Sequence, residues 1–121
     1  LGVQFFIQKA TKMKSIDIIM LPVKDRQKAK EFYLKLGYHI IIEAPAAHGE
    51  TWIQMGLPEG NTSISLGSFS GIICDTDNME KEIEGLAAKG IKVGKIDQTP
   101  WGTFAWLKDL DGNSLCLRQK E

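Results

Sequence analysis

Residues 21–38, LPVKDRQKAKEFYLKLGY, carry the pattern on which the fold turns. Leu21 to Val23 close an Ile- and Val-rich run, SIDIIMLPV (15–23), whose composition is that of a strand. Asp25 supplies an oxygen able to accept from the free N–H groups of a helix start. Ala29, Phe32, Tyr33 and Leu36 recur at helical spacing, which predicts a helix over Arg26–Leu36. Gly37 stands where a helix closes on a left-handed residue, and YHIIIE (38–43) resumes the strand pattern.

Downstream, Glu50–Leu57 and Thr62–Leu66 predict two further strands, joined by a turn at Pro58, Gly60 and Asn61. The order then repeats. Gly71–Asp75 predicts a short strand. Asp77 or Asn78 caps a helix carrying Met79, Ile83, Leu86 and Ala87, and Gly90 ends it as Gly37 ended the first. Ile91–Ile96 predicts a strand, and Thr103–Leu107 with Ser114–Arg118 a hairpin around Asp111-Gly112. GSFSG (67–71) is the join. The expected fold class is α+β: two β-α-β-β-β modules, about 13–67 and about 68–119, each a curled mixed sheet with a helix on one face. The uncovered face must curl around something or pair with its duplicate. Two such sheets side by side form a concave trough, a natural place for a ligand.

The chain of 121 residues is long enough for one domain with a core of its own. Lys plus Arg equals Asp plus Glu, 15 against 15, so there is no basic surplus for broad nucleic-acid binding or for attraction to anionic membranes. Cys74 and Cys116 form no CxxC pair and read as reduced and buried, which points to the cytoplasm. No apolar run is long enough to span a bilayer. Residues 1–12 hold only a short apolar patch (Val3, Phe5, Phe6, Ile7) with no leader pattern, and are expected to be an upstream extension, native or introduced, ahead of a single domain over 13–119.

In combination these segments resemble the vicinal oxygen chelate superfamily, which groups glyoxalases, bleomycin-resistance proteins and extradiol dioxygenases. LPVKDRQKAKEFYLKLGY (21–38) is similar to that family's first strand and helix, DTDNMEKEIEGLAAKGIKV (75–93) to its second helix, and PWGTFAWLKDLDGNSLCL (100–117) to its closing hairpin. GETWIQMGLPEG (49–60) resembles a strand and turn common in one branch. The resemblance covers 13–119 and implies a glyoxalase-like fold and association into a homodimer.

Metal-using members of that superfamily hold one divalent ion with His, Glu or Gln from four strand positions, since the ion needs N or O donors that converge on it. Carried onto this chain, those positions fall at Ile18, near Ser65, near Gly71 and at Cys116. None but Cys116 bears a ligating group, and one thiolate makes no site. The expectation is no metal at the usual place and no cofactor.

Strand alternation sends Ile19, Leu21 and Val23 to the helix and leaves Ile18, Met20 and Pro22 toward the trough. Ser114, Cys116 and Arg118 face the trough in the last strand, and Gly71, Ile73 and Asp75 in the strand after the join. Asp17 is placed on the face opposite Ile18. Trp52, Trp101, Phe104 and Trp106 lie in the strand-rich parts. Each alone reads as sheet packing, and together they suggest a surface on which a flat molecule stacks. The candidate ligand-binding set is therefore Ile18, Met20, Trp52, Trp101, Phe104, Trp106, Cys116 and Arg118. Arg118 either pairs with an anionic group of the ligand or is a surface arginine at a strand end. His48 and Glu50 form either an acid–base pair at the trough mouth or a polar loop. GSFSG is not a nucleophile elbow, because Phe69 occupies the serine position.

The leading expectation is a metal-independent small-molecule binding protein of the glyoxalase and bleomycin-resistance type, acting in resistance or sequestration on an aromatic or apolar molecule. Two alternatives stand beside it. One is a glyoxalase-like lyase or isomerase, or a dioxygenase-like enzyme, whose metal is held by His48, Glu50, Glu43 or a partner chain. The other is a dimeric structural or regulatory domain without a ligand.

Overall fold

The computed structural model describes residues 13–46 and 49–120. Residues 1–12 and His48 lie outside them. Ten elements follow one another: β1 (Met13–Pro22), α1 (Arg26–Leu36), β2 (His39–Pro45), β3 (Thr51–Gly56), β4 (Ser63–Gly67), β5 (Gly71–Thr76), α2 (Met79–Ala88), β6 (Ile96–Thr99), β7 (Gly102–Lys108) and β8 (Ser114–Gln119). The first five form one β-α-β-β-β unit and the last five a second.

The helix boundaries follow from their caps. Asp25 accepts from the Lys28 N–H at the start of α1, and Asn78 from the Lys81 N–H at the start of α2. Both helices close in the same way. Gly37 N–H donates to Leu34 and Tyr38 N–H to Tyr33, while Gly90 N–H donates to Ala87 and Ile91 N–H to Leu86. Each closing glycine has a positive φ, 104° and 82°, where a Cβ would be strained.

That second closure corrects one expectation. The strand predicted over Ile91–Ile96 is instead β6, Ile96–Thr99. Ile91 is used to finish α2, and Val93 packs into the cluster beneath that helix. Residues 94 and 95 reach β7 only through single bonds with Trp106, and the regular ladder starts at Ile96.

All eight strands form one sheet in the order β2-β3-β4-β1-β5-β8-β7-β6. It reads the same from either end once the two units are equated. β1 runs parallel to β4, β5 parallel to β8, and β1 meets β5 antiparallel at the seam. The sheet curls into a half-barrel, with both helices on its outer face. Under α1, Ala29 and Tyr33 pack on Leu21, Val23, Ile53, Met55 and Leu66. Under α2, Met79, Ile83 and Leu86 pack on Cys74, Ala105, Leu115 and Leu117. Ile19 was expected against a helix, but it lies on the seam where neither helix reaches, and it is 38% exposed. A third cluster, Ile18, Met20, Ile73 and Cys116, sits on the inner face with Trp52, Phe104 and Trp106 against it.

Candidate functional site

The inner cluster is built by ladder pairing. Ile18 is opposite Ile73, and Ile73 is opposite Cys116. Three neighbouring strands thereby present one row of apolar side chains, each at most 2% exposed. Alternation along β3 and β7 puts Trp52, Gln54, Phe104 and Trp106 on the same face. They rise around a cavity of about 230 Å3, with Ile42, Ala44 and Ala46 from the β2 side and Asp97, Thr99 and Trp101 from the β6 side.

Of the residues expected to line the trough, Ile18, Trp52, Trp101, Phe104, Trp106 and Arg118 border this cavity. Met20 and Cys116 do not; they lie beneath it, in the floor. Pro22 does not border this cavity and is exposed at the end of β1. Sequence reasoning missed Ile42, Ala44, Gln54 and Thr99. The same period-2 rule, applied to β2 and β3, would have reached Ile42, Ala44 and Gln54.

Two hydrogen-bond chains fix the rings. Trp52 Nε1 donates to Gln54 Oε1 at 3.1 Å, Gln54 Nε2 donates to Ser63 Oγ at 2.8 Å, and Ser63 Oγ donates to the Asp17 carbonyl at 3.4 Å. On the other side, Thr99 Oγ1 accepts from the Trp101 N–H and donates to the Gly102 carbonyl, locking the turn that carries Trp101. Arg118 holds that turn from below, donating from Nε and Nη2 to the Trp101 carbonyl at 3.2 and 3.1 Å. Its guanidinium also lies over the Phe104 ring at 5.7 Å.

Asp17 corrects a second expectation. β1 has a register shift between Ile16 and Ile18, which pair with the consecutive residues Cys74 and Ile73. The extra residue in that bulge is Asp17, so strict alternation fails there. Its carboxylate reaches Arg118 Nη1 at 3.2 Å, with both side chains less than one-fifth exposed. Lys120 bridges Asp17 to Asp75 at 3.8 and 3.5 Å. Arg118 is thus neither a free surface arginine nor an open anion receptor. Its charge is compensated inside the protein.

The donor set for a metal does not fit. Neither Ile18 nor Gly71 bears a donor, and Ile73, which lies opposite Ile18 across the seam, is aliphatic too. Cys116 is fully buried, and burial pushes its thiol up to about 12, so it stays protonated at neutral pH. Among the described residues no three of His, Cys, Asp and Glu converge as ligands.

A second, larger hollow of about 740 Å3 adjoins the first and shares Trp52, Trp106 and Asp97 with it. Glu50 borders it and is paired with Arg26 at 3.3 Å. Phe69, from the join, leans on Trp106 with ring centroids 5.7 Å apart.

With this fold and trough in place, comparison with known proteins gives the class. Residues 15–117 match the Glyoxalase/Bleomycin resistance protein/Dioxygenase superfamily, and the chain belongs to it. It is 27% identical over 119 residues to the uncharacterized protein YetH of Bacillus subtilis, a match covering 88% of this chain and 99% of YetH. Methylmalonyl-CoA epimerase from Mycobacterium tuberculosis has the same fold. The TM-score is 0.81 at 14% identity, over 96% of this chain and 93% of the epimerase. TnmS3, an antibiotic binding protein from Streptomyces sp. CB03234, is 28% identical over 90% of this chain and 98% of its own, with a TM-score of 0.43. Among the described residues no helix is long and apolar enough to cross a membrane.

Proposed function

We propose that this protein binds a small, flat, largely apolar molecule in the trough without a metal, and that it serves in resistance or sequestration in the cytoplasm. The observation that carries the proposal is the convergence of Trp52, Trp101, Phe104 and Trp106 with an aliphatic wall around one cavity whose arginine is already neutralised. Rings held by hydrogen bonds need little reordering when a ligand arrives, which favours binding. The two unpaired, buried cysteines accord with a reducing compartment.

Titration of intrinsic tryptophan fluorescence with a panel of aromatic metabolites and antibiotics tests the proposal. Saturable quenching by at least one uncharged, flat compound is expected. A trough that responds to none, or a stoichiometric metal that survives dialysis, overturns it.

Association into a homodimer is part of the same proposal. Phe32 and Leu36 on α1, and Ile40 and Ile41 on the edge strand β2, are exposed large apolar side chains. Light scattering at micromolar concentration measures the mass.

A further inference from the structure

The floor of the trough changes chemistry one step along the strands. The row Ser63, Ile18, Ile73, Cys116 is followed by the row Ser65, Met20, Gly71, Ser114, by the same ladder pairing. The first row underlies the apolar cavity. In the second, Ser65 and Ser114 border the larger hollow. Ser65 is only 4% exposed, and Arg26 Nε, on the wall of the same hollow, is buried and has no hydrogen-bond partner among the described residues. A buried N–H without a partner is costly unless something in the hollow answers it.

The walls of this hollow are basic. Arg26, Lys92, Lys95 and Lys108 border it, against Glu50 and Asp97. Arg26 is paired with Glu50 and Lys95 with Asp97. Among the described residues Lys92 and Lys108 have no acidic partner, which leaves a net charge of +2 (four bases less two acids). The chain as a whole is neutral, so this is a local concentration of charge. The two hollows meet at Trp52 and Trp106, so one molecule can occupy both.

We infer that the ligand is an amphipathic organic acid: its flat apolar part lies among the tryptophans, and its oxyanion lies over Ser65 and Ser114, facing Lys92 and Lys108. This rests on the trough being a binding site, and it names the class of molecule that the site takes. Hydroxyl donors on the floor and ammonium groups at the rim suit a carboxylate, phosphate or sulfonate. Arg118 plays no part in that contact, because Asp17 holds it.

Three probes sharing one ring system test the inference by isothermal titration calorimetry: 2-naphthoate, its uncharged methyl ester, and 2-naphthylmethylammonium. The carboxylate is expected to bind at least about tenfold more tightly than the ester, and the ammonium more weakly than both. The preference for the carboxylate should shrink as salt is raised. Lys92→Ala with Lys108→Ala, on exposed positions that leave the core untouched, should abolish most of it and spare the ester. Ser65→Ala should reduce it further, with circular dichroism confirming the fold of each variant. Equal affinity for ester and carboxylate, or a preference that survives both lysine changes, overturns the inference while the trough remains a binding site. Failure of all three probes to bind removes the binding site itself.

Discussion

Asp17 and Arg118 stand 101 residues apart in the chain and meet at 3.2 Å on the inner face of the sheet. The pair joins the first strand to the last and holds the turn that carries Trp101. Asp17→Asn should lower stability by about 1–2 kcal/mol, less than for a fully buried pair because water still reaches both groups. Urea midpoints for Asp17→Asn, Arg118→Met and the double variant form a cycle. The double variant should lose clearly less than the sum of the single ones. Additivity would mean that the two groups do not stabilise each other.

Gln54 is the middle link between Trp52 and Ser63. Gln54→Leu keeps the volume but leaves the half-buried indole N–H without its partner. We expect a loss of about 1 kcal/mol in stability and a broader, red-shifted tryptophan emission as the Trp52 ring loosens. An unchanged spectrum would show that packing alone orients that ring.

Gly71 opens β5 with φ at 140°, and a Cβ there would collide with the Ser114 carbonyl on the neighbouring strand. Gly71→Ala should cost roughly 2 kcal/mol or more, from left-handed strain and from displacement of the β5–β8 ladder. Thermal unfolding measures it. Gly85→Ala serves as a control: a Cβ there meets nothing within 4 Å, and helix propensity favours the change.

The Cys116 thiol is raised from an ordinary 9.0 to about 12, chiefly by burial. In the unfolded chain it ionises first, so its contribution is complete below pH 9 and fades as pH climbs toward 12. Stability should fall by up to about 1.4 kcal/mol per pH unit from this group across that window. Denaturant midpoints between pH 8 and 10.5 should decline less steeply for Cys116→Ala. Ellman's reagent should leave Cys116 untouched in the native protein at pH 8 and react once it is unfolded.

How far the sequence could carry this structure is best judged from particular residues. Both helices, their caps and the alternation in β7 and β8 were legible, because caps and periodicity are local signals. Asp17 was not: a bulge shifts register by one residue, and nothing in IIM or SID announces it. Nor was the use of Ile91 to close α2, since an apolar residue after a glycine suits a helix closure and a strand equally. Ile18 could be assigned to the trough from sequence, but that it lies opposite Ile73 depends on the seam pairing, which only the folded sheet fixes. The neutralisation of Arg118 belongs to the same class of long-range fact.

The doubled order of the sheet has one more consequence. A pocket lying across a two-fold axis is degenerate: every bound pose has a rotated twin of equal energy. Here the backbone keeps the axis and the side chains discard it. β2 offers Ile42 and Ala44 where its counterpart β6 offers Asp97 and Thr99, and β3 offers Trp52 and Gln54 where β7 offers Phe104 and Trp106. The duplicate halves have divided the surface between them, so a guest molecule finds one orientation in place of two.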